Sequence, residues 1–515
     1  MFGLSTVGIF LYFLFFVSLI SFSLYVSRGK EVTVESYFFA NRNIHWFIIG
    51  ISLLMPSLFS PYLLGLSFSG SASGLLIVYG VISVLMLIVL GWFLVPLYSK
   101  SKINTLPEYF EKRFNRSCKL FVSALYIVSN IFVRLMIILI AGSIIISTVS
   151  SIDSYSFLLF FLIVTGIYVI SGGLQAELYI NIILLSFLIL GLAGLSGWMI
   201  FQGDGLSLYH SASLPIFQAD NNFTLPGLIL GLFIIGFWFW GTDQFIVQKV
   251  LSVRDISFAR KASVFSGFLQ IIPILIFILP GVILISSLQG TAFGELNLPE
   301  SIKAGIIVAI AAGLMASFAT LLNSTSVLIT FDFYRSFKPG TSDRKLVLVG
   351  RLTTLILLFC SILLIPASQT MDFSFGIKLF KIFSYFSAMI AAVFLASLVN
   401  RKINPVSALM TLVVGTIMIM LRAVLEISGG HPFESNLINW FTQSGFFEFS
   451  ILTFLFSILF IHVFNKLEWA QDKVSLFLRS LKQNLLKLKT VCSSYKKVLI
   501  FLSVLIIIFL WWTLL

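Results

Sequence analysis

The chain has 515 residues, 59 % of them hydrophobic and only 10 % charged, and a mean hydropathy of +1.06. That balance excludes a soluble globular domain and fits a polytopic membrane protein. The formal charge of +13 would suit a nucleic-acid binder, but 28 of the 33 Lys and Arg fall in alternate connections between apolar stretches, which makes it a topology signal instead.

A hydrocarbon core of about 30 Å takes roughly 20 apolar residues per helix. By that measure the sequence predicts an all-α integral membrane protein with about fourteen spans. They lie at 6–27, 45–68, 73–98, 118–148, 155–171, 178–201, 226–248, 264–287, 304–331, 347–367, 379–399, 404–426, 446–465 and 498–515. The first is a membrane helix and not a signal peptide: no Lys or Arg precedes it and no small-residue cleavage site follows. The basic connections are 28–44, 99–119, 249–261, 332–351, Arg401-Lys402 and 466–497, whereas 202–225 holds Asp204 and Asp220 but no Lys or Arg. The positive-inside rule places the basic set in the cytoplasm, 202–225 outside, and both termini outside a cell (inner) membrane. Segment 466–497 is Lys-rich with Val474, Leu476, Leu478, Leu481, Leu485 and Leu486 at helical spacing. It reads as an amphipathic helix on the cytoplasmic surface, or as a solvated connector.

Cys118, Cys360 and Cys492 and the four His are scattered without metal-ligand spacing, and no nucleophile–base pair or acidic pair is evident. The expectation is therefore no enzyme, no nucleic-acid partner and no obligate protein partner, but a lipid bilayer and a small-molecule solute.

Four places carry polar chemistry inside the apolar spans. The second span contains Pro56 and Pro61, each of which removes a backbone donor and frees an upstream carbonyl. It is either a packing kink or a broken helix that exposes carbonyls to ions. The seventh span carries Phe237-Trp-Phe-Trp-Gly-Thr-Asp-Gln, flat faces for a solute or interfacial packing. The ninth carries a small and hydroxylated stripe from Ala311 to Ser326, suited to close helix contact or to supplying oxygens to a cation. The isolated polar residues Arg134, Glu177, Asn181, Asp243, Gln270 and Asp332 complete the set. Glu177, Asp243 and Asp332 read as solvated span ends, so no carboxylate is expected at mid-membrane.

In this order, six segments resemble the sodium:solute symporter family, most closely its sodium–glucose cotransporter branch. They are Tyr37-Phe-Phe-Ala-Asn-Arg-Asn with Gly65 to Gly74, Leu106-Pro-Glu-Tyr-Phe-Glu-Lys-Arg-Phe, Ile167-Tyr-Val-Ile-Ser-Gly-Gly-Leu-Gln-Ala, Trp240-Gly-Thr-Asp-Gln-Phe-Ile-Val-Gln-Lys, Leu322-Asn-Ser-Thr-Ser-Val-Leu-Ile-Thr-Phe-Asp and Ile390-Ala-Ala-Val-Phe-Leu. The resemblance implies a LeuT-like core of two inverted five-helix repeats. Residues 1–44 would form a leader helix and first cytoplasmic loop, and 45–201 the first repeat. The extracellular loop 202–225 would precede the second repeat and one following helix at 226–426, and 427–515 would hold peripheral helices. Spans two and seven would be the broken helices, and transport would proceed by alternating access.

The resemblance also implies a sodium site of backbone carbonyls at Met55, Leu58 and Gly313 with two adjacent hydroxyls. Here those two positions are Ala316 and Ser317, so one hydroxyl is missing. A second sodium-linked position, an Asp in the relatives, is Asn181. The loss of one ligand and one charge weakens Na+ binding. The sugar-contacting positions correspond to Ser57, Tyr62, Gly80, Phe239, Trp240, Gln270 and Phe380. Most of the charged and amide groups that bridge sugar hydroxyls are gone, leaving a more apolar, aromatic pocket that does not suit glucose. The sequence thus reads as a secondary transporter, a sodium-coupled symporter of a small organic solute, with an uncoupled facilitator or a transporter-derived ligand sensor as the alternative.

Overall fold

In the computed structural model, residues 6–27, 33–57, 72–150, 152–201, 225–270, 299–371, 373–427, 441 and 445–467 are described. Helices joined by short turns and connections make up these residues, and their one β-type contact is a single bridge between Ile44 and Val253. The helices are α1 (Thr6–Ser27), α2 (Val34–Phe39), α3 (Trp46–Ser57), α4 (Ala72–Val89), α5 (Val95–Ser101), α6 (Leu106–Arg113), α7 (Arg116–Ser129), α8 (Leu135–Val149) and α9 (Ser154–Phe201). Then come α10 (Leu225–Gly236), α11 (Gln244–Val250), α12 (Ile256–Leu269), α13 (Glu300–Val327), α14 (Asp343–Thr370), α15 (Phe373–Val399), α16 (Pro405–Ile427) and α17 (Phe446–Lys466).

Local chemistry explains several boundaries. Thr105, Asn115 and Asp255 accept backbone N–H bonds at the starts of α6, α7 and α12, satisfying donors that a helix leaves unpaired. Four π-helical turns, Leu90–Leu94, Asn130–Arg134, Phe237–Thr242 and Leu328–Arg335, interrupt or extend longer helices. A π turn inserts one extra residue, rotates the helix downstream of it, and recurs at functional sites.

Among the described residues, eight helices are long and apolar enough to cross a membrane, and nine if the bent pair Ile229–Thr242 and Gln244–Val250 is one span. Fourteen were expected. The difference has identifiable sources: 45–68 and 264–287 extend beyond the described residues, 498–515 lies outside them, and the first span counts only as the shorter apolar helix Phe10–Phe22. Expected spans 155–171 and 178–201 form one helical run, α9, bent at Gly173 where φ is 57° and ψ −144°. At 1.5 Å per residue this 48-residue run would be about 70 Å long if straight, over twice a hydrocarbon core. The bend falls where two spans meet. Tyr37 of α2 fills it, its hydroxyl donating to Val169 O and Ile170 O at 3.3 and 3.4 Å. Burial pushes the Tyr37 phenol up to about 12, so it stays a neutral donor.

The bundle is built around α13, whose most apolar window is 94 % buried, against 33 % for the peripheral α17. Small residues make that centrality feasible. A Cβ placed on Gly191 of α9 would sit 2.3 Å from the Gly305 carbonyl of α13, so the two backbones touch, as glycine-mediated packing in membranes allows. Gly191→Ile is expected to force the helices apart and cost about 1–3 kcal/mol. A lowered unfolding midpoint with no change in helix content would register it.

Candidate functional site

A cavity lies at the centre of this bundle, enclosing about 50 Å³, enough for a few waters. Its walls come from five stretches of the chain: Pro56 in the last turn of α3, Arg134 to Ile138 where a π turn passes into α8, residues of the π turn joining α10 to α11 with Ile235 before it and Phe245 after it, α13 at Ser317, and α15 at Phe380, Phe383 and Ser384. One of these walls is a bent helix: the axis turns by 44° between the Ile229–Thr242 segment and α11, while α3 carries a proline inside its last described turn.

The bend explains the aromatic motif. Asp243 N donates to Trp238 O five residues back, closing a π turn, and Asp243 then caps α11 by accepting from Phe245 N at 3.1 Å. The carbonyls freed at the bend are taken by tyrosines: Tyr98 donates to Gly241 O at 2.5 Å and Tyr126 to Thr242 O at 2.8 Å. Trp238 donates to the Tyr126 hydroxyl at 3.2 Å. Both of these carbonyls are therefore satisfied from a neighbouring helix.

The other side chain of the Asp243 pair is Arg134, at the end of the π turn before α8. Its guanidinium donates to both Asp243 oxygens and lies 3.9 Å from the Phe245 ring centre, 4.5 Å from Phe383 and 5.3 Å from Trp238. A charge this deeply buried is held because it is paired and framed by aromatic faces. Ser317 also faces the cavity, and its Oγ has no partner among the described residues.

The three carboxylates expected at solvated span ends are all fully buried, which corrects that expectation. Asp243 pairs with Arg134. Glu177 accepts from Lys249 at 2.8 Å, Thr320 at 2.7 Å and Asn323 at 2.5 Å. Asp332 accepts from Thr105 at 2.7 Å and from Ser123, with Lys119 at 3.6 Å. Each carboxylate sits opposite a basic residue or hydroxyls from a different helix, a match across the fold that no local pattern records.

The residues singled out from sequence divide clearly. Phe239, Phe380 and Ser317 line the cavity. Trp240 does not: it is fully buried, edge-on to Phe239 at 4.9 Å, and its Nε1 has no partner among the described residues. Trp238 stands in the wall where Trp240 was expected, because the π turn shifts the angular position of each aromatic. Gln270 donates to Ser57 Oγ at 3.2 Å, and both are fully buried and absent from the cavity wall, as is Gly80. Met55, Gly313 and Ala316 are buried on α3 and α13, where Ala316 O accepts from Thr320 at 3.0 Å. Asn181 donates to Ser52 Oγ at 3.2 Å. Leu58 and Tyr62 lie outside the described residues. Sequence reasoning missed Trp238, Phe245, Phe383 and Ser384 as cavity residues. The signal that could find Arg134, which lines the cavity and pairs with Asp243, is an Arg amid the apolar residues of a span.

Comparison with known proteins matches this architecture. A solved structure described as the substrate-bound outward-open state of a Na+-coupled sialic acid symporter superposes with a TM-score of 0.76 at 18 % identity, covering 90 % of this chain and 98 % of that one. The two share a fold. The sodium/glucose cotransporter 1 of Sus scrofa is 27 % identical over 495 residues, spanning 84 % of this chain and 74 % of that protein. The sodium/myo-inositol cotransporter 2 of Bos taurus is 28 % identical over 470 residues, spanning 81 % and 69 %. Residues 37–415 match the profile of the Sodium:solute symporter family. With about three quarters of its length inside that match, the chain belongs to the sodium:solute symporter family.

Proposed function

We propose that this chain is a secondary transporter that couples sodium to the movement of a small organic solute by alternating access, and is not an enzyme. One observation carries the reading: a cavity in the core of the helix bundle, bounded by a bent helix pair and the proline-bearing end of α3, with a hydroxyl on its wall, Ser317, that has no partner among the described residues. The relatives named as sodium/glucose and sodium/myo-inositol cotransporters support sodium as the coupling ion. In this reading 45–201 and 226–426 are inverted repeats in a fourteen-helix chain of the cell membrane, with both termini outside.

The sodium ligands we propose are the carbonyls of Met55, Leu58 and Gly313 and the hydroxyl of Ser317. Ala316 contributes no side-chain oxygen, so the site is weaker than one with two hydroxyls. The solute is taken to be more apolar than glucose, because the walls are Trp238, Phe239, Phe380 and Phe383. Arg134 is already neutralised by Asp243.

Sodium, but not potassium or choline, is expected to raise the unfolding temperature of the purified protein and to drive uptake into vesicles. Equal curves in all three salts would remove the coupling and leave the fold untouched. Ser317→Ala is expected to raise the half-saturating sodium concentration about tenfold, as loss of one ligand worth about 1.4 kcal/mol would do. An unchanged sodium dependence would exclude Ser317. The missing hydroxyl at Ala316 and the amide at Asn181 favour one alternative, an uncoupled facilitator or a ligand sensor. Solute counterflow in the absence of any ion gradient would distinguish the facilitator.

A further inference from the structure

Two cations stand on the outside of the bundle with no carboxylate opposite them. Arg260 and Lys261 lie near the start of α12, and no ion pair among the described residues involves either one. Asp255, the nearest acid along the chain, caps α12 by accepting from Phe258 N at 2.9 Å. Arg260 is half-buried. Among the described residues it donates only through Nε, to Gly91 O at 3.4 Å, and its guanidinium lies 5.8 Å from the Trp92 ring centre. Lys261 is exposed, its ammonium 6.0 Å from the Phe258 ring.

Small residues bring α12 against the run from α4 to α5 at this point. A Cβ on Gly91 would meet Ser263 Cβ at 3.2 Å and Arg260 Cα at 3.4 Å, and one on Gly267 would meet Val84 at 3.6 Å. The flanks of this seam are large and apolar. Val81, Leu85, Ile88 and Trp92 recur every three to four residues and are exposed, as is Phe268, about two turns beyond Arg260 on α12. Only half of the most apolar window in Gly80–Ser101 is buried, so this stripe faces lipid. In a bilayer some lipid covers any such stripe. The two unpaired cations at its end decide which one. A headgroup phosphate supplies the oxygens that a guanidinium and an ammonium lack here, and tryptophan favours the level where headgroup meets acyl chain.

We infer that Arg260, Lys261 and Trp92 hold the headgroup of an anionic phospholipid whose acyl chains lie along Leu85, Ile88 and Phe268. The net charge of the headgroup matters, because a zwitterionic lipid brings a quaternary ammonium of its own against Lys261. With its phosphate on α12 and a chain on α4, the lipid joins the two sides of the seam.

The inference needs neither sodium nor solute, so its test stands apart from the transport reading. Native mass spectrometry of the full-length protein in detergent, titrated with dioleoylphosphatidylglycerol, measures the affinity. Arg260→Gln/Lys261→Gln is expected to weaken the tightest binding event about thirtyfold, a factor of about five for each charge near a lipid surface. Lys261→Gln alone alters an exposed side chain, leaves the seam intact and should weaken it about fivefold. Arg344→Gln/Lys345→Gln, exposed cations in the first turn of α14, should leave it unchanged. Unaltered affinity in Lys261→Gln, or equal losses in the α12 and α14 variants, overturns the site in favour of a diffuse attraction to the whole basic face. Binding of dioleoylphosphatidylcholine as tight as that of phosphatidylglycerol also overturns it. So does competition by inorganic phosphate at equal concentration, which would give the apolar stripe no part.

Discussion

Asp243→Asn is expected to cost about 3–5 kcal/mol, among the largest effects of any single substitution in the chain. Asn preserves the shape and can still cap α11 by accepting from Phe245 N, so the change isolates the charge. Left behind is the Arg134 guanidinium, 8 % exposed, surrounded by the rings of Phe245, Phe383 and Trp238. Breaking a buried pair from one side carries the penalty of an uncompensated charge, which exceeds the net worth of the pair. The neutral double variant, Arg134→Gln/Asp243→Asn, should therefore be more stable than the single one, and reversible unfolding by a denaturing detergent would read both. A single-variant cost below about 1 kcal/mol would mean that water reaches the pair. Because Arg134 lines the cavity and Asp243 holds it there, the same variants should also lower transport.

Gly173→Ala should be comparably damaging, at about 2–6 kcal/mol. The backbone there has φ 57° and ψ −144°, a conformation essentially confined to glycine and costing about 1–3 kcal/mol for other residues. An added Cβ would also meet Tyr37 O at 2.3 Å. That atom is backbone and cannot rotate away, so α2 must shift, which adds an overpacking cost of about 1–3 kcal/mol. Gly197→Ala, in the same helical run, is the control. Nothing lies within 4 Å of its added Cβ, so it should leave stability unchanged or raise it by up to about 1 kcal/mol. Equal midpoints for the two variants would contradict the packing at the bend.

The cavity shows why some of the site was legible in the sequence and some was not. Phe239, Phe380 and Ser317 sit on its wall because the order of motifs places them on the helices that enclose it. Trp240 was misplaced in favour of Trp238, since the orientation of an aromatic depends on whether its turn is α or π. Here the turn is π, closed by Asp243 N on Trp238 O, with the Asp243 carboxylate held by Arg134 from another helix. The carboxylates were misread for a related reason. Glu177 and Asp332 look like span ends in one dimension, but their partners Lys249, Thr320, Thr105 and Lys119 arrive from other helices.

Sequence alone determined that this is a helical membrane protein, which helix carries a proline with no N–H to give, and which family it resembles. Those properties follow from apolar length, from the missing N–H of Pro56, and from motifs read in order. Only the tertiary structure decided what occupies the openings that the breaks create. The freed Ser52 carbonyl, which the proline pattern offers to an ion, is held by the ammonium of Lys249, and the Phe-Trp-Phe-Trp run presents Trp238 and Phe239 to the cavity. The physical reason is the same in both cases. A buried polar group must find a partner, and in a bundle of long helices that partner is set by packing, not by distance along the chain.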